Sequence, residues 1–89
     1  MSFKEHFDLT HHTIIVRAIW DAEASVWVAT STDITGLATE APTMEGLHRK
    51  VMAMVAELIE LNGIESDLPD IPIQIMSEQL ELIRNPHSN

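Results

Sequence analysis

Several residues near the N-terminus have side chains that could bind a metal ion. Imidazole and carboxylate groups are zinc ligands. Because the chain has no cysteine, a zinc site would have to be built from these groups alone. Their spacing argues against a site, because adjacent histidines on a strand point to opposite faces and no two histidines lie four residues apart. We therefore expect an exposed polar arm and no metal site. The residues concerned are His6, Asp8, His11, His12 and Asp21.

Four carboxylates suggest a second chemistry, the metal-dependent hydrolysis of a nuclease. That reaction needs several carboxylates that converge on one point. Their local sequence favours structural roles, with Asp33 in a tight turn, Asp21 and Glu23 in a hairpin loop, and Glu40 just before a helix cap. A degenerate hydrolase is therefore kept only as a second alternative.

Nucleophilic catalysis has no support in this sequence. The serines Ser25, Ser31 and Ser77 have no histidine and carboxylate at suggestive positions. The absence of cysteine also excludes thiolate catalysis and disulfide bonds. We expect no catalytic residue and no cofactor.

The charge balance bears on the choice of partner. The chain carries 14 acidic and 5 basic side chains, a net charge of −9. Nucleic-acid binding needs clustered Lys and Arg, so we expect no direct nucleic-acid partner. Acidity can simply maintain solubility, or it can attract a basic protein. No apolar run reaches membrane-spanning length, and we expect a cytoplasmic protein that does not bind membranes.

The hydrophobic pattern predicts five elements that would position these residues, in the order β-β-β-α-β. Strands are predicted over 13–20, 26–30 and 37–41, a helix over 44–62, and a β-like stretch over 71–83. A meander of three strands and a right-handed crossover through the helix give a mixed four-stranded sheet of order 3-2-1-4. The predicted fold class is α+β, with one long helix on one face. We expect a single domain over 1–89, with a partly mobile arm (1–12), a folded core (13–84) and a tail (85–89).

Particular residues mark the boundaries of these elements. Thr43 is the predicted N-cap of the helix and Gly63 its left-handed C-cap. Gly46 occupies the position where a capping box has Glu, so Gly46→Glu is expected to stabilise the helix. Trp20 and Trp27 are expected to form a cross-strand aromatic contact under the helix.

The apolar stripe of the helix is wider than one sheet face requires. Met52 and Ile59 extend it on one flank, beside His48. Leu80 and Leu82 are out of phase with the preceding isoleucines, which predicts a bulge or a bend near 77–79. We interpret these five residues as a candidate interface for homo-oligomerisation, with folding of 64–70 or of the N-terminal arm over the flank as the alternative.

The run 25–47 resembles the signature of the HicB-like antitoxin superfamily, in particular its short stand-alone branch of unknown function. Thr32, Thr35, Leu37 and Gly46 depart from that signature. The residues that match in kind and spacing are Trp27, Val28, Ala29, Asp33, Ile34, Gly36, Thr43, Met44 and Glu45.

The resemblance implies a partial ribonuclease-H-like fold without nuclease activity, homo-oligomerisation and, for true antitoxins, capture of a small HicA-type mRNA-cleaving toxin. The expected function is therefore a non-enzymatic, antitoxin-like or regulatory protein-binding module, with a small basic toxin as its partner. The first alternative is an orphan homo-oligomeric domain that binds a small ligand between subunits.

Overall fold

The computed structural model describes residues 13–65 and 68–88, and within them a four-stranded sheet and one helix. The elements are β1 (Ile14–Asp21), β2 (Val26–Thr30), β3 (Ala38–Ala41), α1 (Met44–Asn62) and β4 (Ile73–Glu78). The sheet order is β3-β2-β1-β4, which confirms the predicted topology and the α+β class. The expected arm, with His6, Asp8, His11 and His12, lies outside the described residues.

The sheet is mixed because β1 has neighbours of both orientations. It pairs antiparallel with β2, with Trp20 opposite Trp27, and parallel with β4, from Ile14 beside Ile73 to Ile19 beside Glu78. Strand β3 pairs antiparallel with β2 and forms the other edge. The parallel pair requires a long connection, and α1 together with the residues before β4 supplies it.

The core lies between α1 and one face of the sheet. Alternation along β1 directs Ile14, Val16 and Ala18 to this face, where all three are fully buried. The helix contributes Leu47, Val51 and Val55, spaced one turn apart. Ala29, Ile34, Leu37 and Ala41 complete the buried set. In the described part of the chain, no helix is both long and apolar enough to cross a membrane.

Both predicted helix caps are confirmed. The Thr43 hydroxyl accepts a hydrogen bond from the Gly46 amide at 3.0 Å. At the other end Gly63 has φ 65°, which is the left-handed conformation that glycine adopts without strain. The Gly63 amide donates to the Glu60 carbonyl and the Ile64 amide to the Ile59 carbonyl, the two bonds of a Schellman motif.

The prediction of a β-like stretch that reaches 83 through a bulge or a bend near 77–79 is wrong. Strand β4 ends at Glu78, and residues 79–88 form no strand. The reason is the partner strand, because the parallel ladder with β1 stops at Ile19 and β1 enters a hairpin turn two residues later. A strand persists only where a neighbour offers backbone groups, and the phase change at Leu80 therefore reflects the end of the ladder.

The helix start supplies a test of the capping geometry. A Cβ atom at position 46 would lie 3.1 Å from Thr43 Oγ1, so the capping hydroxyl would have to shift slightly. We predict that Thr43→Ala lowers the free energy of unfolding by about 1 kcal/mol. In the Thr43→Ala background, Gly46→Ala should raise the free energy of unfolding by up to about 1 kcal/mol, because alanine has the higher helix propensity. The increase should be smaller when Thr43 is present.

A double-mutant cycle measured by urea unfolding isolates this coupling. Equal gains from Gly46→Ala in both backgrounds would show that the cap accommodates a side chain without strain. In that case the sequence-based expectation for Gly46→Glu would stand unchanged.

Candidate functional site

The sheet has one face that α1 does not cover, and it carries apolar side chains. Residues that alternate with the buried positions of β1 point to this side, together with their cross-strand partners. Ile19 is 45% exposed and Met76 is 42% exposed, while Ile15 and Val28 are half-buried. We call this surface the open face and define it by Ile15, Arg17, Ile19, Val28, Met76 and Glu78.

An ion pair crosses the open face between β1 and β4. Nη2 of Arg17 donates to both carboxylate oxygens of Glu78, at 2.7 and 2.8 Å. Both side chains are about half exposed, so water screens the pair and its contribution to stability is below about 1 kcal/mol. The pair nevertheless fixes two charged groups beside the exposed Ile19, which gives the face a polar centre among apolar side chains.

The charge on this side of the sheet is mainly negative. Asp21 shares the phase of Arg17 on β1, and Glu40 pairs with Val28. On the four described strands, three carboxylates (Asp21, Glu40 and Glu78) therefore accompany one guanidinium on this side. Apolar side chains beside an excess of negative charge are typical of a binding surface that discriminates between partners by their charge. This arrangement suits a basic protein better than an acidic one.

The predicted interface residues fall into two separate groups. His48, Met52 and Ile59 lie along one flank of α1, where His48 and Met52 are exposed and Ile59 is half-buried. On the opposite side of the helix, Lys50 donates to the Glu40 carbonyl of β3. The flank therefore faces away from β3, towards the β1 and β4 side of the sheet. Leu80 and Leu82 lie beyond β4 and are each 90% exposed.

Asp21 has a local structural role in the β1–β2 hairpin. Its Oδ1 accepts from the backbone amides of Glu23 and Ala24, at 3.1 and 3.2 Å, and its carbonyl accepts from the Ser25 amide at 2.7 Å. Ser25 closes the turn with φ 57°, a left-handed conformation. These bonds confirm the turn that the sequence predicts at 21–25.

Asp33 joins the β2–β3 turn to the start of β1. Its Oδ2 accepts from the Ile15 amide at 2.7 Å, and the Ser31 hydroxyl donates to the Ile15 carbonyl at 2.7 Å. The Asp33 amide in turn donates to Ser31 Oγ at 3.0 Å. We call Ser31 and Asp33 the strand clamp, because together they bind both backbone polar groups of Ile15, where the β1–β2 ladder has already ended.

Sequence reasoning missed the role of Ser31, which it considered only as a nucleophile. The signal was available in the pattern Ser31-Thr-Asp33 directly after a strand, because a Ser or Asp side chain there can replace the next ladder hydrogen bond. The partner, Ile15, lies 16 residues away from Ser31, and no local pattern identifies it.

Trp20, Trp27 and Gly36 help to hold the strands and the helix in place. The Trp20 and Trp27 rings meet edge to face, with centroids 5.3 Å apart and planes at 61°. Their cross-strand contact is as predicted. Gly36 has φ 96°, and a Cβ atom there would lie 3.4 Å from the Leu58 side chain. The turn therefore approaches the end of α1 closely, and Asn62 donates to the Thr35 carbonyl at 3.2 Å.

The carboxylates considered for hydrolysis do not gather at one point. Within residues 13–65 and 68–88, no group of three or more histidine, aspartate or glutamate side chains could hold a metal ion. Asp21 accepts from amides of the β1–β2 turn, Asp33 accepts from the Ile15 amide of β1, and Glu40 lies exposed on β3.

Comparison with known proteins identifies a family and a similar structure. The sequence model of DUF1902, a domain of unknown function, matches residues 13–84. None of the curated proteins is similar enough to match. A crystal structure of a hypothetical protein from the extremely thermophilic bacterium Thermus thermophilus is 44% identical and superposes with a TM-score of 0.63. The alignment covers 83% of this chain and 100% of that one.

The strand clamp yields a stability prediction. Asp33→Ala leaves the Ile15 amide without its carboxylate partner and should cost about 1.5–3 kcal/mol of unfolding free energy. Ser31→Ala should cost about 1 kcal/mol, and the double variant less than the sum, because both side chains bind one residue.

Urea unfolding measures these costs, with Glu40→Ala as the exposed-carboxylate control that should stay within about 0.5 kcal/mol of the wild type. Additive losses, or a loss for Glu40→Ala equal to that for Asp33→Ala, would contradict the clamp.

Proposed function

This chain belongs to the DUF1902 family, a domain of unknown function, and we propose that it is a non-enzymatic, antitoxin-like or regulatory module that binds another protein. The observation that carries the proposal is the open face. It presents Ile19 and Met76, each more than 40% exposed, around the Arg17–Glu78 ion pair. Apolar side chains of this size are excluded from water most effectively when a second protein covers them.

The roles of the carboxylates favour binding over hydrolysis. Asp33 orients the start of β1 and Asp21 orders the hairpin, so each has a structural use that needs no metal. Glu78 is paired with Arg17. A hydrolytic site would instead hold such groups together and direct them at one point in a cleft.

The resemblance to the HicB-like superfamily supports a toxin as the partner. The matching strand, turn and cap residues are those that hold the sheet and helix here, namely Trp27, Asp33, Gly36 and Thr43. In that superfamily the implied partner is a small HicA-type toxin that cleaves mRNA. A protein that binds RNA is basic, and it would complement this chain of net charge −9.

Charge and apolar contact should have different kinetic effects. Attraction between an acidic face and a basic partner accelerates association, and salt screens it beyond about 10 Å at 0.1 M. Dissociation depends instead on the desolvated centre of the contact, where Ile19 lies. We therefore expect the association rate to fall as ionic strength rises, with little change in the dissociation rate.

The proposal is tested by binding and rescue with small basic HicA-type toxins, those encoded beside this gene and a panel of others. We predict that the wild-type chain co-purifies with its partner and relieves the growth arrest that the partner causes. Ile19→Lys should weaken binding at least roughly tenfold, because it places a charged group at the centre of the contact.

Leu61→Lys is the matched control. Leu61 is 78% exposed on α1, away from the open face, and its substitution changes the net charge by the same amount. Equal losses from both variants would reject the open face as the contact. No rescue by any toxin tested and no small basic neighbour would reject the antitoxin function, and metal-dependent RNA cleavage by the chain alone would favour the hydrolase.

A further inference from the structure

The segment that follows β4 exposes an unusual amount of apolar surface. Three large aliphatic side chains occur within four residues, and Leu80, Leu82 and Ile83 are 90%, 90% and 91% exposed. Single exposed leucines are common on protein surfaces, but three large aliphatic side chains on one short segment mark a surface that another protein covers. We call residues 79–84 the C-terminal segment.

The C-terminal segment continues directly from an edge strand. Among the described residues, β4 is the last strand of the order β3-β2-β1-β4 and pairs with β1 on one side, so its other side presents a row of backbone groups that no described strand pairs with. The usual protections of such an edge are lysine, proline or inward-facing charge. The strand Ile73–Glu78 contains no lysine, no proline and no inward-facing charge, since its one charged residue, Glu78, lies on the open face, where Arg17 binds it. The edge is therefore available for pairing with another strand.

We propose that two copies of this chain pair antiparallel along this edge, so that the C-terminal segment of each copy extends the sheet beside β4 of the other. The edge that no described strand occupies and the exposed segment lie on the same chain. In a two-fold dimer the segment of each copy therefore pairs with the edge of the other, and both contacts form at once, as in other isologous interfaces. Two four-stranded sheets would then become one continuous sheet of eight strands.

The side chains favour one register, with Gln79 opposite Gln79 across the two-fold axis. Leu82 then lies opposite Met76 on the open face, and Ile83 lies opposite Ile75 on the helix side. Centring the axis on Glu78 would place two like charges directly opposite each other, which destabilises a cross-strand pair. Centring it on Leu80 would leave one apolar pair, Leu80 with Leu80 on the axis, and would place Leu82 opposite Glu78 and Ile83 opposite Ser77. The Gln79 register places Leu80 opposite Glu78, but it forms each of its two apolar pairs twice by symmetry.

The surroundings of β4 suit this arrangement. Ile73 and Ile75 are half-buried against the core. The helix packs mainly on β3 and β2, so it covers the helix side of β4 only in part. An added strand would cover the rest of this side. Met76 is 42% exposed at the margin of the open face. Met76 borders both the open face and the edge, whereas Ile19 lies on the central strand β1, so a substitution at Ile19 tests the proposed toxin contact without altering the edge.

The 89-residue chain is tested without any partner. Light scattering coupled to gel filtration at micromolar concentration should give twice the 10.0 kDa mass of one chain. The double variant Leu82→Asp, Ile83→Asp should raise the dimer dissociation constant roughly tenfold or more, because both apolar cross-strand pairs are lost. Leu61→Asp, at an exposed leucine on α1, should leave the mass unchanged.

Cross-linking tests the register. The chain has no cysteine, so Gln79→Cys introduces a unique thiol. Directly opposed residues on antiparallel strands have Cα atoms about 4.5–5.5 Å apart, within the range of a disulfide bond. Oxidation should therefore produce a covalent dimer from Gln79→Cys and none from the control Leu61→Cys.

Three results would overturn the inference. These are a wild-type monomer at micromolar concentration, a dimer that survives the double variant, or a dimer that Met52→Glu dissociates while the double variant does not. The last result would place the contact on the flank of α1. Ile19→Lys should leave the dimer intact, so failure of the toxin contact and failure of the dimer give separate readouts.

Discussion

The width of the sheet relative to the single helix is the constraint on which the rest of this structure depends. Four strands span about 14 Å between their outermost axes, whereas a helix with its side chains is about 10–12 Å across. Helix α1 packs mainly on β3 and β2, and its residues Leu47, Val51 and Val55 complete the buried core. One face of the sheet and the margin at β4 are left for other contacts, and both proposed interactions use these surfaces.

The short connections place further demands on individual side chains. The β1–β2 ladder ends at Arg17 and Thr30, yet β1 begins three residues earlier, at Ile14. The strand clamp supplies the hydrogen bonds that a longer β2 would have made to Ile15. The same turn places Gly36 against Leu58, so one loop connects the start of β1 with the end of α1. Substitutions at Ser31 or Asp33 would thus affect the core through the backbone.

The roles of the carboxylates and the exposed surfaces both favour binding over catalysis. Asp21 and Asp33 stabilise turns, and Glu78 is held by Arg17, so these acids shape the fold and its surface. Binding to a basic protein requires only that the acidic groups be presented around an apolar centre. Self-association at the β4 edge uses a different property, the exposed backbone and aliphatic side chains of one segment. A dimer of this kind would present two open faces on one continuous sheet.

The sequence by itself determined the elements, because the signals for strands, helix and caps are local. Thr43 and Gly63 delimit α1 by hydrogen bonds within one turn, and alternation along β1 identifies the buried face. Connection rules then gave the sheet order. Only the tertiary structure decided where β4 ends, since a strand extends only as far as its neighbour. Only the tertiary structure decided that Ser31 and Asp33 bind Ile15. Such contacts join residues that are far apart in the chain, by 16 positions for Ser31 and Ile15 and by 61 for Arg17 and Glu78. Only the folded backbone brings these residues together.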